Sequence, residues 1–127
     1  MAVLVVFGLL IGLVPALPAL ALVSEACPTT VPAKGFTDLG GQTVDTVDAI
    51  DCVAHYGIAQ GTSATTFSPN TSVLRWQMAL FLVRAATALG QTLPNGANQG
   101  FIDIAGFDTA TQTAINQLKQ MNITTGT

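Results

Sequence analysis

Residues Gly57 to Ala86 read GIAQGTSATTFSPNTSVLRWQMALFLVRAA, and this stretch decides the fold. Gly57 closes a helix, because glycine takes the left-handed conformation after a helix cap without a side-chain clash. Ile58 can then fold back onto Val53 in the last turn. Ala59 to Ser72 are small and polar apart from Phe67, which is expected to pin the loop to the helices. Pro69-Asn70 leads into a second helix, predicted from about residue 73 to about residue 89 by its period. Leu74, Met78, Phe81, Leu82, Ala85 and Leu89 form a wide apolar stripe, and Ala79, Leu80, Val83 and Ala86 cover much of the remainder. A helix apolar nearly all round is expected in the middle of a bundle. Its only charges are Arg75 and Arg84, and Gly90 ends it.

Upstream, Gly40-Gly41 marks a turn. Thr43 or Asp45 can cap a first helix, predicted at about 44–56, in which Asp45 and Asp48 lie toward the N-terminus where the dipole favours anions. Val47, Ile50, Val53 and Ala54 fall on one face at helical spacing. His55 has no acid or nucleophile beside it in sequence and reads as an exposed residue of the last turn. Residues 27–35, with two prolines and few apolar residues, form a linker.

The pattern then restarts after a second linker, residues 91–100. Phe101-Ile102-Asp103 restates Phe36-Thr37-Asp38 at an offset of 65, Ala114-Ile115 restates Ala49-Ile50, and Gly126-Thr127 restates Gly61-Thr62. The offset never drifts. Asn122 stands where the first copy has Gly57, and asparagine is the next most tolerant residue of the left-handed conformation. Ile123 can then meet Leu118 as Ile58 meets Val53. A third helix is predicted at about 108–121. The second copy stops before any loop or long apolar helix. A repeat unit that cannot bury its own apolar face needs neighbours, so the chain reads as a fragment of a longer protein or a truncated product.

These motifs resemble an S-layer homology (SLH) repeat, a bacterial cell-surface anchoring module. The family pattern runs Phe-x-Asp, an Ala-Ile helix, Gly-Ile-x-x-Gly, Phe-x-Pro-Asn, and a helix opening with Thr-Arg-Ala-Glu. This chain has Phe36/Asp38, Ala49/Ile50, Gly57-Ile58-Ala59-Gln60-Gly61, Phe67-Ser68-Pro69-Asn70 and Leu74-Arg75-Trp76-Gln77 in that order. The last tetrapeptide keeps only its Arg. Trp, frequent in the family five residues before the Ile of the first helix, is replaced by Asp45 in one copy and Ala110 in the other. The resemblance implies an all-α fold of helix-loop-helix repeats, with the family's pseudo-trimeric bundle incomplete in this chain. Residues 36–90 would be one repeat and residues 101–127 a truncated second.

The same resemblance implies a non-enzymatic role: non-covalent binding to an anionic, pyruvylated cell-wall polysaccharide, with no cofactor. Arg75 matches the family's ligand-contacting Arg. A cation near a helix N-terminus opposes the dipole, which points to another use, and guanidinium binds a carboxylate through two parallel hydrogen bonds. The bland alternative is a solvated Arg paired with a nearby Asp. Trp76 beside it can stack on a sugar or simply pack. Gln77 loses the charge of the motif's Glu but keeps a hydrogen-bonding capping residue. Asp38 and Asp103 recur in equivalent places of two repeats, so with Gly57 and Asn122 they read as structural turn residues and not as a catalytic pair. Two rival readings remain: repeats that pack against other SLH repeats without glycan, and the fragment of an extracellular enzyme whose catalytic domain lies elsewhere.

Composition narrows the partners further. The net charge is −3 with only four Lys and Arg, so the dense basic surface that a phosphate backbone requires is missing. One His and two Cys do not supply a zinc site, and no phosphate loop or nucleophile elbow occurs. Residues 1–26 read as a signal peptide: an apolar run from Ala2 to Val23, then small-x-small sites at Ala19-Leu20-Ala21 and Ser24-Glu25-Ala26. No Lys or Arg precedes the apolar core, and about 20 apolar residues can also span a bilayer, but Pro15, Pro18 and the small residues favour cleavage. The mature chain is then expected in the wall or at the cell surface, free of the membrane, with Cys27 and Cys52 paired. Intact-mass measurement of the exported protein is expected to find Met1 to Ala21 removed; retention of that segment would refute cleavage.

Overall fold

The computed structural model describes Cys27 and residues 31–126. The predicted signal peptide, with its apolar segment, lies outside the described residues. Among the described residues there are three helices and no strand: α1 (Val44–His55), α2 (Arg75–Ala88) and α3 (Thr109–Gln120). The fold is all-α, and each helix lies within two residues of its predicted bounds.

Each helix stops by the same device. The amide of Ile58 donates to the carbonyl of Val53 at 2.8 Å and that of Gly57 to Ala54 at 3.1 Å. On α3 the amide of Ile123 donates to Leu118 at 2.9 Å and that of Asn122 to Lys119 at 3.0 Å. The residue after the cap must be left-handed for both bonds to close, and Gly57 and Asn122 sit at φ 68° and 58°. The starts differ in chemistry but not in place. Thr43, and not Asp45, caps α1 through its hydroxyl, which accepts from the amide of Thr46. Asp108 caps α3, its carboxylate accepting from both the amide and the hydroxyl of Thr111 at 2.9 Å.

The 65-residue register therefore holds in three dimensions. It extends to a pair of buried polar residues that periodicity did not single out. Asp51 accepts from the amide of Lys34 at 2.8 Å, and Asn116 from the amide of Gln99 at 3.0 Å. Each ties the incoming linker to its helix by a hydrogen bond that a buried side chain accepts, the condition on which such a group is tolerated. A second tie differs between copies. In the first, Cys27 and Cys52 are joined by a disulfide with Cα atoms 5.7 Å apart. In the second, Gln117, in the place of Cys52, donates to the carbonyl of Pro94, and Gln120 bridges Asn95 and the amide of Gly96.

Packing is less even than the sequence suggests. α2 packs against α3, and α1 packs against neither. Thr111, Ala114 and Leu118, one face of α3, are buried, whereas their counterparts on α1, Thr46, Ala49 and Val53, are not. The expectation that α2 sits inside a bundle is not met: Ala79 is its one buried residue, while Leu74, Met78, Leu82 and Leu89 stay exposed along one stripe. A helix needs neighbours on several sides to bury an all-round apolar surface, and among the described helices only α3 packs on it.

The disulfide closes a loop of sequence separation 25. In the chain-entropy account this stabilises by roughly 3 kcal/mol. Reduction, or Cys27→Ser with Cys52→Ser, is expected to lower the melting temperature with α1 melting first in hydrogen exchange; an unchanged profile would show that Lys34–Asp51 alone holds the linker.

Candidate functional site

The loop from Gly61 to Ser72 sets where α2 begins, and one carboxylate sets the loop. Asp38 accepts from the amides of Phe67 at 2.9 Å and Ser68 at 2.7 Å. The amide of Thr37 donates to the carbonyl of Thr65 at 2.9 Å. The Phe36 and Phe67 rings meet with centroids 5.4 Å apart. Phe67 thus anchors the loop onto the segment before α1. Gly61 lies so close to Phe36 that a Cβ there would stand 2.7 Å from the ring. Asp38 has the structural role expected of it. Asp103 does not: it is exposed and makes no hydrogen bond or ion pair.

Local order in the loop comes from its hydroxyls. Thr62 reaches Thr66 and Ser68, and Ser63 accepts from the amides of Thr65 and Thr66. These short side chains compete well for nearby backbone groups, which is why a loop with one large apolar residue holds its shape.

Arg75 is the first residue of α2. Leu74, at the cap, has no side-chain acceptor. Gln77 turns back instead, its Oε1 accepting from the Leu74 amide at 2.8 Å. The amides of Arg75, Trp76 and Gln77 make no hydrogen bond, and the exposed Arg75 guanidinium has neither hydrogen bond nor ion pair. The solvated-pair alternative for Arg75 is therefore absent here. The helix terminus combines unpaired N–H groups with a free guanidinium, two features that both attract anions.

Arg75 and Trp76 form one wall of a cleft of about 570 Å³. The second copy lines it with Phe101, Ile102, Asp103, Ile104 and Phe107. Trp76 is half-buried against Phe107, with ring centroids 5.6 Å apart, so it packs and borders the cleft at once. Gln77 is not beside Arg75 in this cleft. It borders a smaller one of about 290 Å³ between the loop and α2, with Phe67, Phe81 and Arg84. The α2–α3 contact brings Arg75 and Trp76 together with Asp103; Gln77 serves the cap. Phe107, Asp108, Asp51 and Asn116 were missed in the sequence. The 65-residue register, applied to polar positions and caps, could have found Asp108 beside Thr43 and Asn116 beside Asp51; Phe107 stands opposite Gln42 and carried no such signal.

His55 is exposed and meets Tyr56 edge to face at 5.1 Å. Among the described residues no three His, Cys, Asp or Glu side chains gather as a metal site, and no helix is long and apolar enough to cross a membrane. Comparison of the chain with protein-family models, curated proteins and solved structures gave no match.

The amides of Phe67 and then Ser68 hold the Asp38 carboxyl below its usual range, and the Thr111 amide and hydroxyl do the same for Asp108. A carboxylate depressed in the folded state contributes stability that is present above its unfolded pKa of about 3.9 and lost as pH falls through the folded value. The melting temperature is expected to fall on acidification below about pH 4. Asp38→Asn is expected to melt lower than the parent at neutral pH, with the gap closing in acid; a gap that persists at low pH would mean that the carboxylate charge is not what closes the loop.

Proposed function

We propose that the chain is a non-enzymatic cell-surface anchoring module of the S-layer homology kind, exported and held to the wall by an anionic, pyruvylated polysaccharide. The reading rests above all on Arg75. Its guanidinium stands unpaired at the uncapped N-terminus of α2, on the wall of the cleft between the two copies. A ketal carboxylate seated there meets a planar fork of donors and the positive end of a helix together. Trp76, Phe101, Ile102 and Phe107 give the cleft apolar surface of the kind on which the face of a sugar ring rests. Anchoring of this sort needs no bond to be made or broken. Its strength would come from a few charge-assisted contacts, multiplied where several repeats bind one polymer.

Assembly with other repeats, without glycan, is the second reading. The stripe of Leu74, Met78, Leu82 and Leu89 favours it, being exposed along one side of α2.

Sedimentation of the mature protein with purified cell wall separates the two. Arg75→Ala is expected to weaken binding by roughly 1.5–3 kcal/mol. Arg75→Lys is expected to fail nearly as badly, because a point charge does not reproduce the fork. Chemical removal of acidic ketals from the wall is expected to abolish the difference between parent and variant. Binding that is indifferent to Arg75, or that survives ketal removal, would leave packing as the role of this repeat.

A further inference from the structure

Asn95 is the one asparagine of the chain that is followed by glycine. That dipeptide is chemically labile. The amide nitrogen of the glycine, unshielded by a side chain, attacks the asparagine Cγ once it has given up its proton. The Cγ–Nδ2 bond breaks, ammonia leaves, and a cyclic imide closes. Water then opens the imide at either carbonyl. The product is aspartate, or an isoaspartyl linkage in which the chain runs through Cγ. Nothing is oxidised or reduced.

The fold demands the glycine. Gly96 sits at φ 68°, and a Cβ there would stand 2.6 Å from Thr113 Cγ2 and 2.9 Å from the Thr113 carbonyl oxygen on α3. A residue whose bulk would slow the attack is therefore barred. What guards the step instead is Gln120, the last residue of α3. Its Oε1 accepts from the Gly96 amide at 2.9 Å, and its Nε2 donates to Asn95 Oδ1 at 3.0 Å. Oδ1 also accepts from the Ala97 amide at 3.0 Å. The two backbone N–H groups fix which end of each carboxamide is oxygen. Asn95 is exposed, and its Nδ2, the leaving group, makes no hydrogen bond among the described residues. Water thus reaches the electrophile, while the nucleophile is held.

The two bonds of Gln120 pull in opposite directions. A donor on Oδ1 draws electrons from Cγ and favours attack. The hold on the Gly96 N–H opposes attack, because a hydrogen bond made by the protonated form disfavours loss of the proton. The second effect governs, since no attack occurs without deprotonation. We propose that Asn95–Gly96 is a latent site of spontaneous deamidation, and that Gln120 holds it closed in the folded chain. Local opening of the linker, of the kind that exposed segments undergo, frees both groups. An opening that ends in reaction is recorded irreversibly at position 95. The isoaspartyl product adds one carbon to the backbone and moves the Gly96 amide off Gln120, so the linker no longer docks as before. The site shares no residue with the Arg75 cleft and does not rest on polysaccharide binding.

The test is incubation of the full chain at mildly alkaline pH, native and in urea, with the Asn95 peptide followed by mass spectrometry and an isoaspartyl assay. The native parent is expected to deamidate at Asn95 about tenfold or more slowly than the chain in urea. Gln120→Ala is expected to approach the rate in urea while its circular dichroism remains helical. Gln120→Glu keeps an oxygen for the Gly96 amide and is expected to stay near the parent rate. Gln117→Ala cuts the neighbouring tie to the Pro94 carbonyl but removes no hydrogen bond of Asn95 or Gly96, and is also expected to stay near the parent rate. That variant separates the direct hold of Gln120 from general loosening of the linker. A native parent as fast as the chain in urea, a Gln120→Ala no faster than the parent, or equal acceleration by Gln117→Ala or Gln120→Glu would each overturn the proposal. The assay contains no wall material, so its outcome is separable from that of the wall-binding reading.

Discussion

The grip of Asp38 on the amides of Phe67 and Ser68 is the contact on which the rest of the first copy depends. It joins two parts of the chain on either side of α1, and it is charge-assisted, so it is stronger than a neutral hydrogen bond. Ser68 takes a left-handed φ of 61° beside it, a conformation that non-glycine residues seldom adopt, and the adjacent amides can then face one carboxylate. Successive amides turned to one side form a small anion cradle. With the loop fixed there, α2 starts where it does, and Arg75 is carried to the edge facing the second copy.

The repeat is a repeat of backbone geometry more than of chemistry. Asp51 and Asn116 hold a linker amide with different charge. Thr43 and Asp108 cap with a hydroxyl and a carboxylate. Gly57 and Asn122 reach the same left-handed conformation by absence of a side chain and by tolerance of one. The linkers show the widest divergence. One is fastened covalently through Cys27 and Cys52, the other through glutamine side chains and the backbone it faces. A covalent tie acts mainly by restricting the unfolded chain, while the glutamine bonds act in the folded state and must compete with water. Equal placement thus does not mean equal stability.

The cleft belongs to neither copy. Its cationic wall is the start of α2, and its other wall is the opening segment of the second copy, brought up by the packing of α2 on α3. Its polar groups are unpaired among the described residues: the first amides of α2 and the Arg75 guanidinium on one side, the Asp103 carboxylate on the other. Unpaired polar groups exposed to water cost little where they stand and become binding groups when a partner arrives.

The sequence by itself determined the three helices, their ends, the 65-residue register and the structural use of Asp38, Gly57 and Asn122. These follow from local rules: hydrophobic period, capping chemistry and the conformational tolerance of glycine and asparagine, each acting over a few residues. It also placed Arg75 at a helix start against the dipole. Only the tertiary structure decided what surrounds these residues. It turned Gln77 back onto the cap, packed Trp76 against Phe107, brought Arg75 and Asp103 to one cleft, and left most of α2 without the neighbours, among the described residues, that an all-round apolar helix implies. Those outcomes depend on which helix meets which across long separations in sequence. A local pattern specifies that a face is apolar, but the neighbour that covers it is set by the path of the whole chain.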